Sequence, residues 1–227
     1  MTPPLPQSPS RAALLSTAYF RPVQWFQKLH RYPAACIDPF DLWVKQTYRN
    51  RCIIAATHGL QALTVPIVHD PDVTLTRDIR ISDHGNWRHL HWHALRSAYG
   101  ESPFFEFYAD DLAPFFERRW DFLVDFNEAI AVLMCQLLDI DCPLTTANCP
   151  LTTAGPSSQE KCPDDGMPTQ PDFDDFREAI RPKHPLPDAD FVPRRYYQVF
   201  EQKHGFLPNL SILDLLMNMG NESVLFL

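Results

Sequence analysis

The stretch that most limits the fold is residues 12–38. An apolar run, AALLSTAYF (12–20), stops before Pro22. VQWFQKLHRY then puts Val23, Phe26 and Leu29/His30 on one side at the helical period, and AACID (34–38) is apolar again. A short buried strand, an amphipathic helix and a second short strand, in that order, favour a parallel pair joined by a right-handed crossover. RCIIAAT (51–57), a turn at His58-Gly59 and LQALTVPIV (60–68) read as a hairpin with β-branched residues on both arms. DIRIS (78–82) alternates as a further strand. The expected class is therefore α/β, a single domain with a mixed sheet (a β-α-β start, then a hairpin) flanked by helices.

Helical periodicity dominates afterwards. WRHLHWHALRSAY (87–99) places Trp87, His91, Ala94/Leu95 and Ala98 on one face, with Asp83 or Asn86 as cap. Pro103 and Pro114 mark two short helical pieces, and Glu117 to Leu138 reads as one long amphipathic helix. A helix over 209–219, with Ser211 and Asp214 at capping-box spacing and Gly220 as its stop, gives a helical C-terminal part. Residues 1–11 read as a disordered leader and 12–140 as the α/β core. Residues 141–171 read as a flexible Pro/Thr/Ser-rich loop carrying the tandem repeat CPLTTAN/CPLTTAG, and 172–227 as a C-terminal segment packing on the same domain.

Composition narrows the chemistry. With 22 Pro against 7 Gly, neither G-x-G-x-x-G nor G-x-x-x-x-G-K-[ST] occurs, which excludes the usual dinucleotide and P-loop sites. The net charge of −8 disfavours nucleic acid. Charge is nevertheless uneven: residues 1–60 hold seven Lys/Arg against two acids, whereas 101–190 hold six against nineteen. An anion site in the N-terminal part stays open. No signal-peptide pattern is read, and the longest apolar stretch, Ala129 to Ile140, is broken by Gln136 and Asp139, so no transmembrane segment is expected. Cys36, Cys52, Cys135, Cys142, Cys149 and Cys162 form no C-x-x-C pair and are expected to be reduced thiols of a cytoplasmic protein.

Three constellations could carry chemistry. The first is Lys45-Gln46-Thr47-Tyr48-Arg49-Asn50-Arg51. If extended, it places Lys45, Thr47, Arg49 and Arg51 on one face and Gln46, Tyr48 and Asn50 on the other. Three cations so arranged suit a phosphate or pyrophosphate; otherwise they make a solvated face, or pair with Asp38 and Asp41. Those two carboxylates follow strand 34–38, at the strand end where parallel sheets gather functional groups, and serve as bases or as neutralising partners. The second is the histidine group. His89 and His93 have metal-ligating spacing, but with His84 nearby no pattern completes a site, and no metal is expected. His91 lies on the apolar face between Trp87 and Leu95, either as a hydrogen-bonded core residue or as a general acid or base. The third is aromatic: the Phe/Tyr run at 104–108 and Tyr196/Tyr197 read as core, or as a wall on which sugar or base rings stack. Cys52, beside Arg51, is either an activated thiol or a small core residue. No G-x-S-x-G elbow supports serine chemistry.

YFRPVQWF (19–26), CIDPFDLWVKQTYRNR (36–51) followed by LTVPI (63–67), NWRHLHWHALRSAYGESPFFEFY (86–108) and YYQVFEQKHGFLPNLSILDLLMNMG (196–220), in this order and spacing, resemble the WbqC-like protein family. Two departures stand out: relatives tend to show Pro where this chain has Arg21, and the duplicated linker is private to it. The resemblance implies a bacterial protein whose relatives sit among genes for O-antigen and other surface polysaccharides; it carries no established mechanism and calls for no cofactor. The function it suggests is a transferase modifying an activated sugar or sugar-linked intermediate. Its site would draw on Tyr19, Asp38, Asp41, Lys45, Gln46, Arg49, Asn50, Arg51 and His91. Lys45, Arg49 and Arg51 would hold a phosphate-bearing nucleotide sugar or acyl donor, and His91 or Asp38 would manage the proton. The other reading is a non-catalytic binding or assembly protein of the same pathway. An enzyme needs these groups in one concave site, whereas a docking module displays them with His91 sealed in the core.

Overall fold

The computed structural model describes residues 11–140, 144–147 and 173–227. The chain opens with strand β1 (Ala12–Leu15), helix α1 (Val23–Arg31) and strand β2 (Ala35–Ile37). β1 pairs parallel to β2, Ala13 opposite Ala35 and Leu15 opposite Ile37, so the β-α-β expectation holds. β1 is shorter than the apolar run implied, because Tyr19 and Phe20 turn the chain into α1, Phe20 at φ +34°. Arg21 is buried there. Its guanidinium stands 4.4 Å from the Trp25 ring and donates to the Asn127 carbonyl at 2.7 Å.

The hairpin is β3 (Arg51–Ala56) with β4 (Gly59–Thr64), antiparallel in register from Arg51–Thr64 to Ala56–Gly59. Its turn is Thr57-His58, one residue earlier than expected, and Gly59 opens β4 at φ +103°, a conformation that a β-carbon disfavours. Helices α2 (Trp87–Tyr99), α3 (Phe105–Leu112), α4 (Pro114–Glu117) and α5 (Leu123–Leu137) follow. Neither expected cap side chain caps α2: Asn86 sits at the N-cap without a side-chain bond, and Asp83 pairs with Arg88 at 2.7 Å. The long helix expected from Glu117 begins only at Leu123. Residues 118–122 lie in between, and the 78–82 segment holds the backbone at the start of the helix: Ile81 N–H donates to the Asp121 carbonyl, Leu123 N–H to that of Ile79. That segment forms a short helical turn at Thr76–Asp78 and isolated bridges at Arg80 and Ile81, not a continuous strand.

Leu144–Thr146, placed by sequence in the flexible loop, is strand β5 and pairs parallel to β2; β6 (Phe173–Asp175) pairs parallel to β1. The four-stranded parallel sheet thus has order β5-β2-β1-β6, and the hairpin is a separate antiparallel ladder. The α/β single-domain class stands, with parallel and antiparallel pairing in different ladders. The rest of the expected loop and the leader up to Ser10 lie outside the described residues. Arg11, at the leader's edge, donates to the Phe173 carbonyl and pairs with Asp174.

Helices α6 (Glu201–His204) and α7 (Ile212–Met219) complete the fold. Ser211 caps α7 as expected, its Oγ accepting from Leu213 N–H at 3.3 Å. The capping box is not closed, because the Asp214 carboxylate turns inward to accept from Tyr196 Oη at 2.7 Å and Gln198 Nε2 at 2.9 Å. α7 is buried along nearly its whole length, and α1 is buried from Val23 to Leu29.

Candidate functional site

The structure divides the nine sequence-predicted residues among three places. The first is the carboxyl edge of the parallel sheet, the side on which open α/β sheets gather functional groups, between β1 and its neighbour β6. Asp38 and Asp41 lie at this edge with Ser16, and Arg177 follows β6. Asp38 pairs with Arg177 at 2.9 Å and accepts from Phe40 N–H; burial pushes its carboxyl up. Arg49, 2% exposed, pairs with Asp41, which also accepts from Ser16 Oγ at 3.3 Å. The edge is filled by its own ion pairs: its enclosed space is about 10 Å³, on the scale of a single water. Arg177 and Arg181, which line it with Arg49, were missed by the sequence reading. They lie beyond the aperiodic region, and no local pattern ties them to residues 38–49.

The second place is the core. His91 and Tyr19 are bonded to each other, Tyr19 Oη to His91 Nδ1 at 3.0 Å, and both are buried. Burial pushes His91 down to about 4, and the imidazole is neutral at neutral pH. Its bond to Tyr19 ties α2 to the turn between β1 and α1.

The third place is a cleft of about 440 Å³ beside the hairpin, within the range of small-molecule sites. Lys45, Gln46, Asn50 and Arg51 line it together with Trp43, Thr64 and the 67–73 loop. The extended reading of residues 45–51 is corrected here. Gln46 takes φ +61° and Tyr48–Asn50 form a helical turn, in which Thr47 Oγ1 accepts from Arg49 N–H. The turn breaks the two-residue alternation. Arg49 consequently points to the sheet edge, whereas Arg51, in β3, faces the cleft and donates from Nε to Thr64 Oγ1 at 3.0 Å. Asn50 Nδ2 holds the Val65 carbonyl at 2.9 Å, and Gln46 Oε1 accepts from Lys183 at 2.8 Å.

The cleft is rich in donors. Besides Lys45 and Arg51 it has His69, which sequence reasoning did not single out, and the Trp43 indole N–H, buried with no hydrogen-bond partner among the described residues; among these, Asp70 is the one carboxylate lining the cleft. Ile67, Val73 and Ile79 supply an apolar wall. Such a lining suits a ligand with an anionic end and a ring.

The remaining candidates resolve simply. His89 and His93 approach to 4.1 Å between ring centroids, but no group of three metal-ligating side chains exists among the described residues. Cys52 is buried and its thiol is pushed up, so the activated-thiol reading gives way to the core one. No helix among the described residues is long and apolar enough to cross a membrane.

Residues 18–160, more than half of the chain, match the WbqC-like protein family. The chain is also 27% identical over 203 residues to Rv1507c, an uncharacterised protein of Mycobacterium tuberculosis, a similarity covering 83% of this chain and 87% of that protein. No solved structure matches.

Proposed function

The chain belongs to the WbqC-like protein family, and from that premise and the donor-rich cleft we propose that it binds a phosphate-bearing donor beside the hairpin and acts as a group transferase on an activated sugar or sugar-linked intermediate in surface-polysaccharide assembly. The observation that carries the binding step is the placing of Lys45, Arg51 and an unpartnered Trp43 N–H around one concave space with a single carboxylate. Arg51 holds the phosphate oxygens, and its Nε bond to Thr64 fixes the guanidinium plane from which two further nitrogens donate. Lys45 adds charge, Gln46 and Asn50 shape the rim, and the donor's ring lies along the apolar wall. In the transfer, an acceptor hydroxyl displaces the phosphate-bearing group and its proton passes to His69, the imidazole that lines this space. The roles first considered for His91 and Asp38 change accordingly. His91 with Tyr19 ties α2 to the turn that follows β1, and Asp38, Asp41 and Arg49 stiffen the loop that carries Lys45. The sugar and the pathway come from the family resemblance.

The non-catalytic reading is favoured by a specific observation, the sealing of His91 in the core. Purified protein is therefore screened by thermal shift against nucleotides, nucleotide sugars and acyl-CoA. A ligand at 100 times its Kd adds about 2.7 kcal/mol of apparent stability. Arg51→Ala is expected to weaken the responding ligand about 10- to 100-fold, the loss of charge-assisted hydrogen bonds, with the unliganded melting curve little changed. A responding nucleotide sugar that is never consumed in the presence of glycan acceptors leaves the binding-protein reading. A flat response to all three classes removes the phosphate cleft altogether.

A further inference from the structure

The aromatic positions singled out in the sequence separate in the structure into two populations. Phe105, Tyr108 and Tyr196 are core, whereas Phe107 and Tyr197 are 72% and 54% exposed. The exposed pair, with Phe104 and Tyr108, walls a cleft of about 480 Å³ at the C-terminal end of α7 and shares no lining residue with the donor-rich cleft beside the hairpin. Its polar lining has the opposite character. Asn218 and Asn221 carry amide carbonyls, Glu222 a carboxylate, and no Lys, Arg or His lines the space. Asn221 Oδ1 accepts from Tyr108 Oη at 3.1 Å. Asn218 is 4% exposed; its Nδ2 donates to the Asp214 carbonyl, but its Oδ1 accepts from nothing among the described residues. A buried acceptor without a donor is costly, and a donor brought to the cleft relieves that cost. The adjoining helix end adds the negative pole of the backbone dipole.

These features select the ligand's chemistry. An anion meets a carboxylate and a helix C-terminus with no cation to balance them. A proline-rich peptide brings mainly carbonyl acceptors to a place that already offers acceptors. A quaternary ammonium matches the rings and Glu222 but has no hydrogen to give Asn218. A pyranose has both parts, C–H faces that lie on aromatic rings and hydroxyls that donate. We propose that this cleft is a carbohydrate subsite, taking the face of a neutral, hydroxyl-rich sugar ring between Phe107 and Tyr197 with a hydroxyl directed to Asn218. Gly220 lets the Phe104 ring take its place in the wall, since φ there is +56° and a β-carbon would come within 2.6 Å of that ring. The subsite does not depend on the phosphate cleft and stands whether or not the chain catalyses transfer.

Saturation-transfer NMR on the full chain with neutral methyl pyranosides and disaccharides at millimolar concentration tests it, with choline as the cation probe. Transfer to ring C–H protons of at least one sugar is expected. Phe107→Ala, at an exposed position that does not threaten the fold, is expected to weaken it about tenfold, or about 1.4 kcal/mol, and Phe107→Trp to retain it. Arg51→Ala should leave it unchanged, which separates this subsite from the phosphate cleft. Absence of transfer from every sugar, persistence of full transfer in Phe107→Ala, or binding of choline in place of sugars overturns the proposal.

Discussion

Asp188→Ala is expected to lower unfolding stability by about 3–5 kcal/mol, the cost of leaving a buried charge without its partner. Lys28 lies on α1 and its side chain is 1% exposed; Asp188, at 5%, is the acid that meets it, with Nζ 2.7 Å from Oδ1. The other oxygen of Asp188 accepts from Gln24 Nε2 at 2.8 Å, so removal of one carboxylate strands two side-chain donors besides the Asp190 N–H. Among the described residues, the Lys28 ammonium then retains only the Phe176 ring, 4.4 Å away. Urea unfolding measures the effect as a fall in midpoint at constant slope. The double substitution Lys28→Met with Asp188→Leu should recover most of the loss, since an apolar pair of similar volume often equals or exceeds a buried ion pair. A loss below about 1 kcal/mol would mean that the pair is solvated and that the 186–190 segment is not seated on α1.

A second large effect concerns pH, and it is concealed in the wild type. Burial pushes His91 down to about 4 from 6.5, so between these values the unfolded chain takes up a proton that the folded chain refuses, and stability falls as pH falls. Burial pushes Asp214 up to about 6 from 3.8, against the hydrogen bonds from Tyr196 and Gln198. There the folded chain takes up the proton first, and stability falls as pH rises. Each contribution amounts to about 3 kcal/mol across its window, and between pH 4 and 6 they oppose each other. Substituting either residue exposes the other. Relative to wild type, His91→Gln should lose stability as pH rises from 4 to 6, and Asp214→Asn should lose it as pH falls. Denaturant titrations at a series of pH values read both slopes. Profiles of both variants parallel to wild type would show that neither group has a displaced pKa.

The legible parts of this chain are those in which neighbouring residues decide the outcome. Alternation and β-branching mark the hairpin, and the turn is misplaced by only one residue because Gly59 belongs to the strand that follows it. Periodicity finds α2 with His91 inward, and a serine side chain reaching a backbone N–H two residues on finds the start of α7. Residues 45–51 were misread because polar side chains alternate there as they would in a strand, while the backbone turns at Gln46 and again at Tyr48–Asn50. Leu144–Thr146 was misread because three residues carry no period. Their pairing to β2 comes from an edge that only the assembled sheet offers.

The sequence alone determined the family, the β-α-β opening, the α/β class and the basic character of the segment that lines the hairpin cleft. Each of these is written in runs of adjacent residues or in spacings of two to four. Tertiary structure alone decided which charges remain available. Lys28 looks like the solvated face of an amphipathic helix until Asp188, 160 positions away, covers it. Arg49 and Arg51 look equivalent until one is neutralised by Asp41 at the sheet edge and the other is left at the cleft. Burying an ion is costly unless its partner arrives with it, and the partner is brought by the path of the whole chain, on which neighbouring residues have no bearing.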